Sequence, residues 1–397
     1  MTAFDGIDLS ELQRTIRELG LDGWLLFDFH GLNPVAGRVL ALRGLGTRRI
    51  FVLVPASGEP VAVAHKIEMQ PVAGFPGRII PYARWEELHA ALGSLVRGRT
   101  LAMEVSPEDA VPYLDRVPYG VVELLTRLGA KVVPSGGLVT RFAARWSAAE
   151  REDHMYAAGV LASVARKALA GAVSAGNAGA EGPLTETALQ SRVTQAMAAE
   201  GLVFDHPPIV GFGANAANPH YEPKAGKDAT LKEGDVILLD LWGGRSLHTV
   251  FADQTWMGFA GERVPGKVEK VWRTVRDARD AAIALFKDAA GRRPLPGFAL
   301  DRAARGVIEA AGFGDRFVHR TGHSIDRALH GSGPHLDDYE THDDRELAPG
   351  VGFSIEPGIY LSGEFGVRSE VNGYWSDAGP VITPADPQVD LIVRGGR

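Results

Sequence analysis

Cysteine is absent from the 397 residues of this chain. Disulfides, thiolate metal ligation and a cysteine nucleophile are excluded with it, so any metal must be held by oxygen and nitrogen. An excess of positive charge is missing too: 42 Lys and Arg stand against 49 Asp and Glu, a formal net charge of −7. That balance argues against a surface built for nucleic acid or for an anionic membrane. No uninterrupted apolar run reaches the ~18–20 residues of a membrane span. The N-terminal stretch Met1–Asp8 lacks the basic-then-apolar pattern of a secretory leader. No residue pattern repeats along the chain, and the only compositional bias is alanine-rich helix. These absences lead to the expectation of a soluble, cytoplasmic protein.

Apolar residues make up 45% and charged residues 23%, a globular balance, and at ~150 residues per domain the length predicts two or three domains. Leu9, Leu12, Ile16 and Leu19 recur at helical spacing ahead of Gly20, which predicts a helix over 8–20. Strands are expected at 24–29, 50–54, 61–64, 100–104 and 131–134, alternating with helices in an α/β N-terminal domain. Ser147, followed three residues later by Glu150, forms a capping box at the head of a long helix. The boundary is therefore set at 140, with domains over 1–140 and 141–397. In the second domain helices are expected at 148–173, 185–200, 264–289 and 299–311, with strands in blocks between and after them. Block alternation favours an α+β core with a curved, mostly antiparallel sheet.

Four apolar segments of the second domain each carry one acid where a hydrophobic side chain is expected. They are Val236–Trp242 with Asp240, Thr249–Trp256 with Asp253, Val351–Tyr360 with Glu356 and Phe365–Trp375 with Glu370. Taken singly, each has a bland explanation. Asp240 could cap the turn at Gly243-Gly244, Asp253 could be an edge-strand charge, and the two glutamates border turn residues and could be solvated. Taken together with His323, in this order, they point to a metal site, because buried carboxylates are costly unless paired or bound to a cation. Four carboxylates carry a formal −4, which two divalent cations balance. Oxygen-rich ligation with one imidazole suits manganese or cobalt, with zinc also open. In such pairs a water is polarised between ions ~3.5–4 Å apart.

Several stretches then resemble a known family: Asn218–Pro223, Leu231–Asp240, His319–His323, Phe353–Tyr360 and Gly366–Glu370. As a set they resemble the pita-bread metallopeptidases of the creatinase and methionine aminopeptidase group, specifically the Xaa-Pro peptidase branch (prolidase and aminopeptidase P). The resemblance spans about 147–397, and 1–140 resembles the smaller α/β creatinase-like N-terminal domain. It implies that Asp240 and His323 bind one metal each, that Asp253 and Glu370 bridge, and that Glu356 is both ligand and general base. It further implies that His220 and His330 orient substrate, that the substrate is a small peptide with proline at the second position, and that the protein is a homodimer.

The leading expectation is a dinuclear metal-dependent Xaa-Pro dipeptidase. The alternatives are an aminopeptidase P acting on longer peptides, a metal-free creatinase-like amidinohydrolase, and a binding protein on a degenerate peptidase scaffold. The chain departs from the family pattern in four places. Ser324 and Asp326 replace the glycines of Gly-His-Gly-Ile-Gly, Gly331 replaces an acid after the second histidine, Val371 replaces an aspartate, and the Asp240–Asp253 spacing is longer.

Other residues were weighed alongside these. Gly211-Phe212-Gly213 lacks the third glycine of a dinucleotide fingerprint. His319 is either a packed residue or a partner of the metal site. The acidic loop 337–344 is expected to be a solvated segment or a lid. Arg368, Arg327 and Arg345 are candidates to clamp a substrate carboxylate.

Overall fold

The computed structural model describes residue 4 and residues 6–42, 46–175 and 183–395; Met1, Thr2, Ala3 and Asp5 of the stretch read for a leader lie outside them. Two compact units, Met1–Ala144 and Arg145–Arg397, divide the chain. The first holds a six-stranded sheet in the order β4-β3-β2-β1-β5-β6. Its strands are β1 (Gly23–Asp28), β2 (Ile50–Pro55), β3 (Val61–His65), β4 (Arg78–Tyr82), β5 (Thr100–Met103) and β6 (Lys131–Pro134). Five were legible in the sequence; β4, Arg-Ile-Ile-Pro-Tyr, was not, because a proline in a short run argues against a strand. The sheet is mixed: β1–β2 and β2–β3 are antiparallel, the other pairs parallel. The first helix runs Leu9–Glu18, capped by Asp8, whose carboxylate accepts from the Ser10 and Glu11 amides. Leu12 and Ile16 bury one face of it.

The second unit repeats one order twice: a helix pair, then strands. Helices Ala148–Ala175 and Glu186–Ala199 precede β7 (Ile209–Phe212), β8 (Val236–Gly243) and β9 (Ala252–Phe259). Helices Gly266–Ala289 and Gly297–Ala310 precede β10 (Ser324–Ile325), β11 (Gly352–Ile355), β12 (Gly358–Leu361), β13 (Phe365–Arg368), β14 (Val371–Ser376) and β15 (Gly379–Thr383), with β16 (Ile392–Val393) last. Strand orders are β16-β9-β8-β7, β10-β11-β14-β15 and β12-β13, antiparallel throughout except β16–β9. The structure is thus α+β, as the block alternation implied.

The helix at 148 begins where the capping box places it: the Ser147 amide donates to Glu150 Oε2 at 2.7 Å and the Glu150 amide donates to Ser147 Oγ at 3.2 Å. By length and composition its Ala148–Ser174 stretch would also suit a membrane, but 56% of its most apolar window is buried within the protein. Leu161, Ala165, Leu169 and Ala172 pack against Ile237, Leu239 and Leu241 of β8 and Trp256 of β9 in one core.

The two apolar segments that carry the glutamates do not each form one strand. Ile359 and Tyr360 do not continue β11, because the strand breaks at Glu356-Pro357, and its partner breaks at Ser369-Glu370. The long hairpin from Gly352 to Ser376 is therefore interrupted on both sides at the acids. Around it packing is tight. Trp146 stacks on Tyr374 at 4.7 Å, its indole donates to the Ile325 carbonyl at 2.7 Å, and a Cβ on Gly352 would come within 1.9 Å of its ring.

A rigid indole held on two sides has nowhere to retreat. Gly352→Ala is therefore expected to destabilise the protein by about 1–3 kcal/mol or more, read from the shift of the urea midpoint, and an unchanged midpoint would contradict this packing.

Candidate metal centre

The register of the β8–β9 hairpin decides which acids meet. Asp240 lies opposite Thr255 and Asp253 opposite Trp242. With a side-chain period of two, Asp240, Trp242, Asp253 and Thr255 share one face, while Leu239 and Leu241 point to the helix core on the other. Asp240 is mid-strand and Asp253, the second residue of β9, is buried, so the turn-cap reading of the first and the edge-charge reading of the second do not hold. Glu356 and Glu370 sit just beyond the last paired residues of β11 and β14, Ile355 and Val371. At the break the Glu356 amide donates to the Thr321 carbonyl at 2.7 Å. The two sheets are stitched at the same place: Asn372 of β14 accepts from the Asp253 amide at 3.0 Å and donates to its carbonyl at 2.8 Å.

His323 enters from the residue before β10. Its amide donates to Ser354 Oγ at 2.9 Å, and its Nδ1 lies 3.1 Å from the Ser324 carbonyl, which leaves Nε2 facing inward. That nitrogen is 3.5 Å from Asp253 and 3.4 Å from Glu356. Single ligand atoms of Asp253, His323 and Glu370 all lie within 4.8 Å of one another. Asp240, Asp253, His323 and Glu370 are each less than a tenth exposed, whereas Glu356 is half-buried.

Arg368 is the cation of the cluster. Nη2 donates to Asp240 at 2.6 Å, Nε to Thr255 Oγ1 at 2.9 Å and Nη1 to Tyr360 at 3.2 Å. Thr255 donates onward to Glu370 Oε2 at 2.8 Å. The residues present fit divalent cations. Asp240 Oδ1 and Glu370 Oε1 are buried and accept no hydrogen bond, an expensive arrangement for carboxylate oxygens unless a cation takes them. The donor set is oxygen plus one imidazole nitrogen, as expected of hard or borderline metals.

Titration follows from burial and crowding. Burial, aided by the neighbouring Asp253 and Glu356 charges, pushes Asp240 up to about 7 against the pull of Arg368. Burial likewise raises Asp253, and burial with the other three carboxylates raises Glu370 well above the usual range. Glu356 goes the other way: burial would raise it, but His323, His319 and Arg368 outweigh that and hold it below the ordinary value. The charge on His323, together with burial, drives His330 down to about 3.

The remaining candidates separate clearly. His330 lies with its ring at 4.2 Å and 87° to His323, beside the cluster and exposed on its outer side. His220 is exposed on the segment after β7, close enough to His330 to influence its titration. His319 is a packed partner of the site. Its Nδ1 lies 2.7 Å from the Arg320 carbonyl and its Nε2 2.8 Å from Tyr360 OH, and burial holds it neutral, down to about 4.

Two expectations about flanking residues are corrected. The acidic loop is solvated only in part: Glu340 and Asp344 are exposed, whereas Asp337 and Asp343 are fully buried. Asp337 accepts from the Tyr339 and Glu340 amides, and Asp343 from the His335 amide and Arg345, so these two acids serve as internal acceptors for the loop and its flanks. The arginines expected as a carboxylate clamp have partners within the protein. Arg368 is held by Asp240, Arg345 by Asp343 and Arg327 by Glu150.

Sequence reading missed several supporting residues. Glu186, fully buried at the start of its helix, accepts from the Phe212 and Ala229 amides, Asn215 and Tyr221, and so fixes the segment carrying His220. Buried Arg279 donates to Ser369 Oγ at 2.8 Å and anchors the strand break before Glu370. Glu186 begins a helix and Arg279 interrupts an apolar helix face; the second was a signal that could have been read.

Comparison with known proteins places this geometry in a family. Residues 153–374 match the model of metallopeptidase family M24. The chain is similar to the probable dipeptidase PepE of Mycobacterium tuberculosis, 29% identical over 331 residues, 81% of this chain and 80% of that protein. It is also similar to a Xaa-Pro dipeptidase of Lactobacillus helveticus, 32% identical over 185 residues, 46% of each. The crystal structure of dipeptidase PepE from Mycobacterium ulcerans shares the fold, with a TM-score of 0.71 at 22% identity over 97% of this chain and 96% of that one. The fold is the pita-bread fold, and the chain belongs to metallopeptidase family M24, whose members work with divalent metal ions.

Proposed function

We propose that this enzyme hydrolyses Xaa-Pro dipeptides, with two divalent cations, manganese or cobalt before zinc, held by Asp240, Asp253, His323, Glu356 and Glu370. The observation that carries the reading is the convergence of buried carboxylates on His323 Nε2, with Asp240 Oδ1 and Glu370 Oε1 left for a cation. The Lactobacillus helveticus relative supports the substrate class. When bound, the metal ions supply Lewis-acid polarisation of a carbonyl and of the attacking water.

Every other function falls to side chains. Glu356, held by Ser354 Oγ at 2.9 Å and kept ionised by its cationic neighbours, takes the proton of the attacking water at a carboxylate oxygen. The same carboxyl returns that proton to the departing nitrogen, which in an Xaa-Pro bond is a secondary amine with no N–H in the amide. His330, whose ring stands against His323 at the edge of the cluster, donates a hydrogen bond to the substrate, and His220 closes the same side. Homodimerisation and a cytoplasmic location complete the reading.

One observation favours a second reading. Arg368 and Arg345 spend their whole guanidinium groups within the protein, so neither is left for a terminal carboxylate. Aminopeptidase P activity on longer peptides needs no such clamp. Metal-stripped protein supplied with Leu-Pro and, separately, Leu-Pro-Gly, with and without manganese, separates the two. Manganese-dependent leucine release from the dipeptide alone is expected; release from the tripeptide moves the assignment to an aminopeptidase, and release from neither removes the Xaa-Pro reading.

Glu356→Gln keeps size but removes the base, and kcat is expected to fall by roughly 10²–10⁴-fold. Full activity in that variant would exclude the proton role.

Metal-stripped protein should also lose stability as pH rises. Asp240, at about 7 when folded and ~3.9 when unfolded, holds its proton more tightly in the folded state. Its contribution is complete below the unfolded value and is lost as pH climbs through the folded one; Asp253 and Glu370 shift the same way. The melting temperature in EDTA should therefore drop from pH 6 to pH 8, and saturating manganese should remove the drop. A rise in EDTA over that window would contradict the charge arrangement.

A further inference from the structure

Between β10 and the buried His335 the chain makes a small loop, residues 326–332, that carries His330. One carboxylate closes it. Asp326 Oδ1 accepts from the Ala328 amide at 2.8 Å, and Oδ2 accepts from the Ser332 amide at 2.8 Å and the Ser332 hydroxyl at 2.9 Å. Two backbone bonds run alongside: the Asp326 amide donates to the Ala328 carbonyl at 3.1 Å and the Gly331 amide to the Ser324 carbonyl at 2.7 Å. The loop's two ends are thereby tied across the carboxylate, with His330 at the position just before Gly331.

Gly331 is the other half of the device. A Cβ there would fall 2.8 Å from Asp326 Cγ, 2.8 Å from the Asp326 amide nitrogen and 2.9 Å from Oδ2. The carboxyl group and the backbone nitrogen of residue 326 together occupy the space that a side chain at 331 would need, so the loop closed in this way requires glycine at 331. Both residues interrupt the family-like pattern of the sequence, and they meet in the structure.

What the loop presents is the imidazole of His330, set nearly perpendicular to His323 with ring centroids 4.2 Å apart. A side chain with two free torsions on an exposed loop keeps such an orientation only if the backbone beneath it is fixed. Three donors converging on one carboxylate supply that fixation. We infer that Asp326 is a positioning residue: with Gly331 it closes the 326–332 loop and thereby sets the ring of His330 at the metal centre. The inference rests on the reading of His330 as a substrate-orienting group.

The test is a double-mutant cycle in the manganese-loaded protein. Asp326→Ala releases all three donors, and kcat/KM on the substrate found active above is expected to fall roughly 10- to 100-fold, the scale of a misplaced orienting group. In a His330→Ala background the same substitution should cost less than about twofold, because the group it positions is gone; a merely structural role would give losses that multiply. Bound manganese per chain and the melting temperature of each variant are measured in parallel, and Asp326→Ala should retain its manganese. Should it fail to fold, Asp326→Asn, which keeps the acceptor for Ala328 and loses those for Ser332, is carried through the same cycle. Independent, multiplying losses would overturn the inference while leaving His330 in its role. An active His330→Ala enzyme would overturn both that role and the positioning inference, and an active Asp326→Ala enzyme with an impaired His330→Ala would overturn the inference alone.

Discussion

Four carboxylates crowded around one arginine and one imidazole are the constraint on which the second unit depends. Asp240, Asp253 and Glu370 are almost wholly buried, and Glu356 adjoins them. Arg368 neutralises one charge through its 2.6 Å bond to Asp240, and His323 serves two more acids with a single nitrogen. Burial, reinforced by repulsion among the remainder, raises the titration of Asp240, Asp253 and Glu370. A core built this way is unfavourable as a hydrocarbon interior and becomes favourable with divalent cations in it, since binding to the native state alone adds stability by mass action.

The architecture supplies that cluster by two different devices. The β8–β9 hairpin is regular, and its pairing register alone brings Asp240 and Asp253 to one face. The β11–β14 ribbon is irregular, and its glutamates reach the site because both strands break where they stand. Asn372 and the Glu370 amide fasten the second ribbon to β9, so the regular and irregular halves hold one another in place. Outside this ring, loops are stiffened by internal carboxylates: Glu186 beneath His220, Asp326 beneath His330, and Asp337 and Asp343 in the segment that follows. In each case a buried or half-buried acid is spent on backbone amides, which removes the cost of leaving those donors unpaired.

That use of acids explains where reading the sequence failed. An acidic run such as Asp337–Asp344 has the composition of a solvated loop, and nothing local distinguishes a carboxylate facing water from one facing amide hydrogens of its own turn. Arg345, Arg327 and Arg368 were equally ambiguous, because an arginine near a motif has the same sequence signature whether it meets a ligand or an aspartate of its own domain. The strand breaks were legible only in part: Pro357 announced the interruption on one side, but the matching break at Ser369 comes from pairing and not from composition.

The sequence by itself determined the α+β class, the capping box at Ser147 and most helices and strands, and it singled out Asp240, Asp253, His323, Glu356 and Glu370, which the structure brings together. It could do so because an acid inside an apolar run is costly, and that cost is visible in one dimension. Only the tertiary structure decided that β8 and β9 pair with Asp240 and Asp253 on one face, that Arg368 belongs to the carboxylate cluster, and that Glu186 and Asp326 hold the two outer histidine segments. Those relations join residues up to 128 positions apart, as in Arg368 and Asp240. They arise from strand register and from which donor a buried carboxylate happens to meet, and neither is encoded by local spacing.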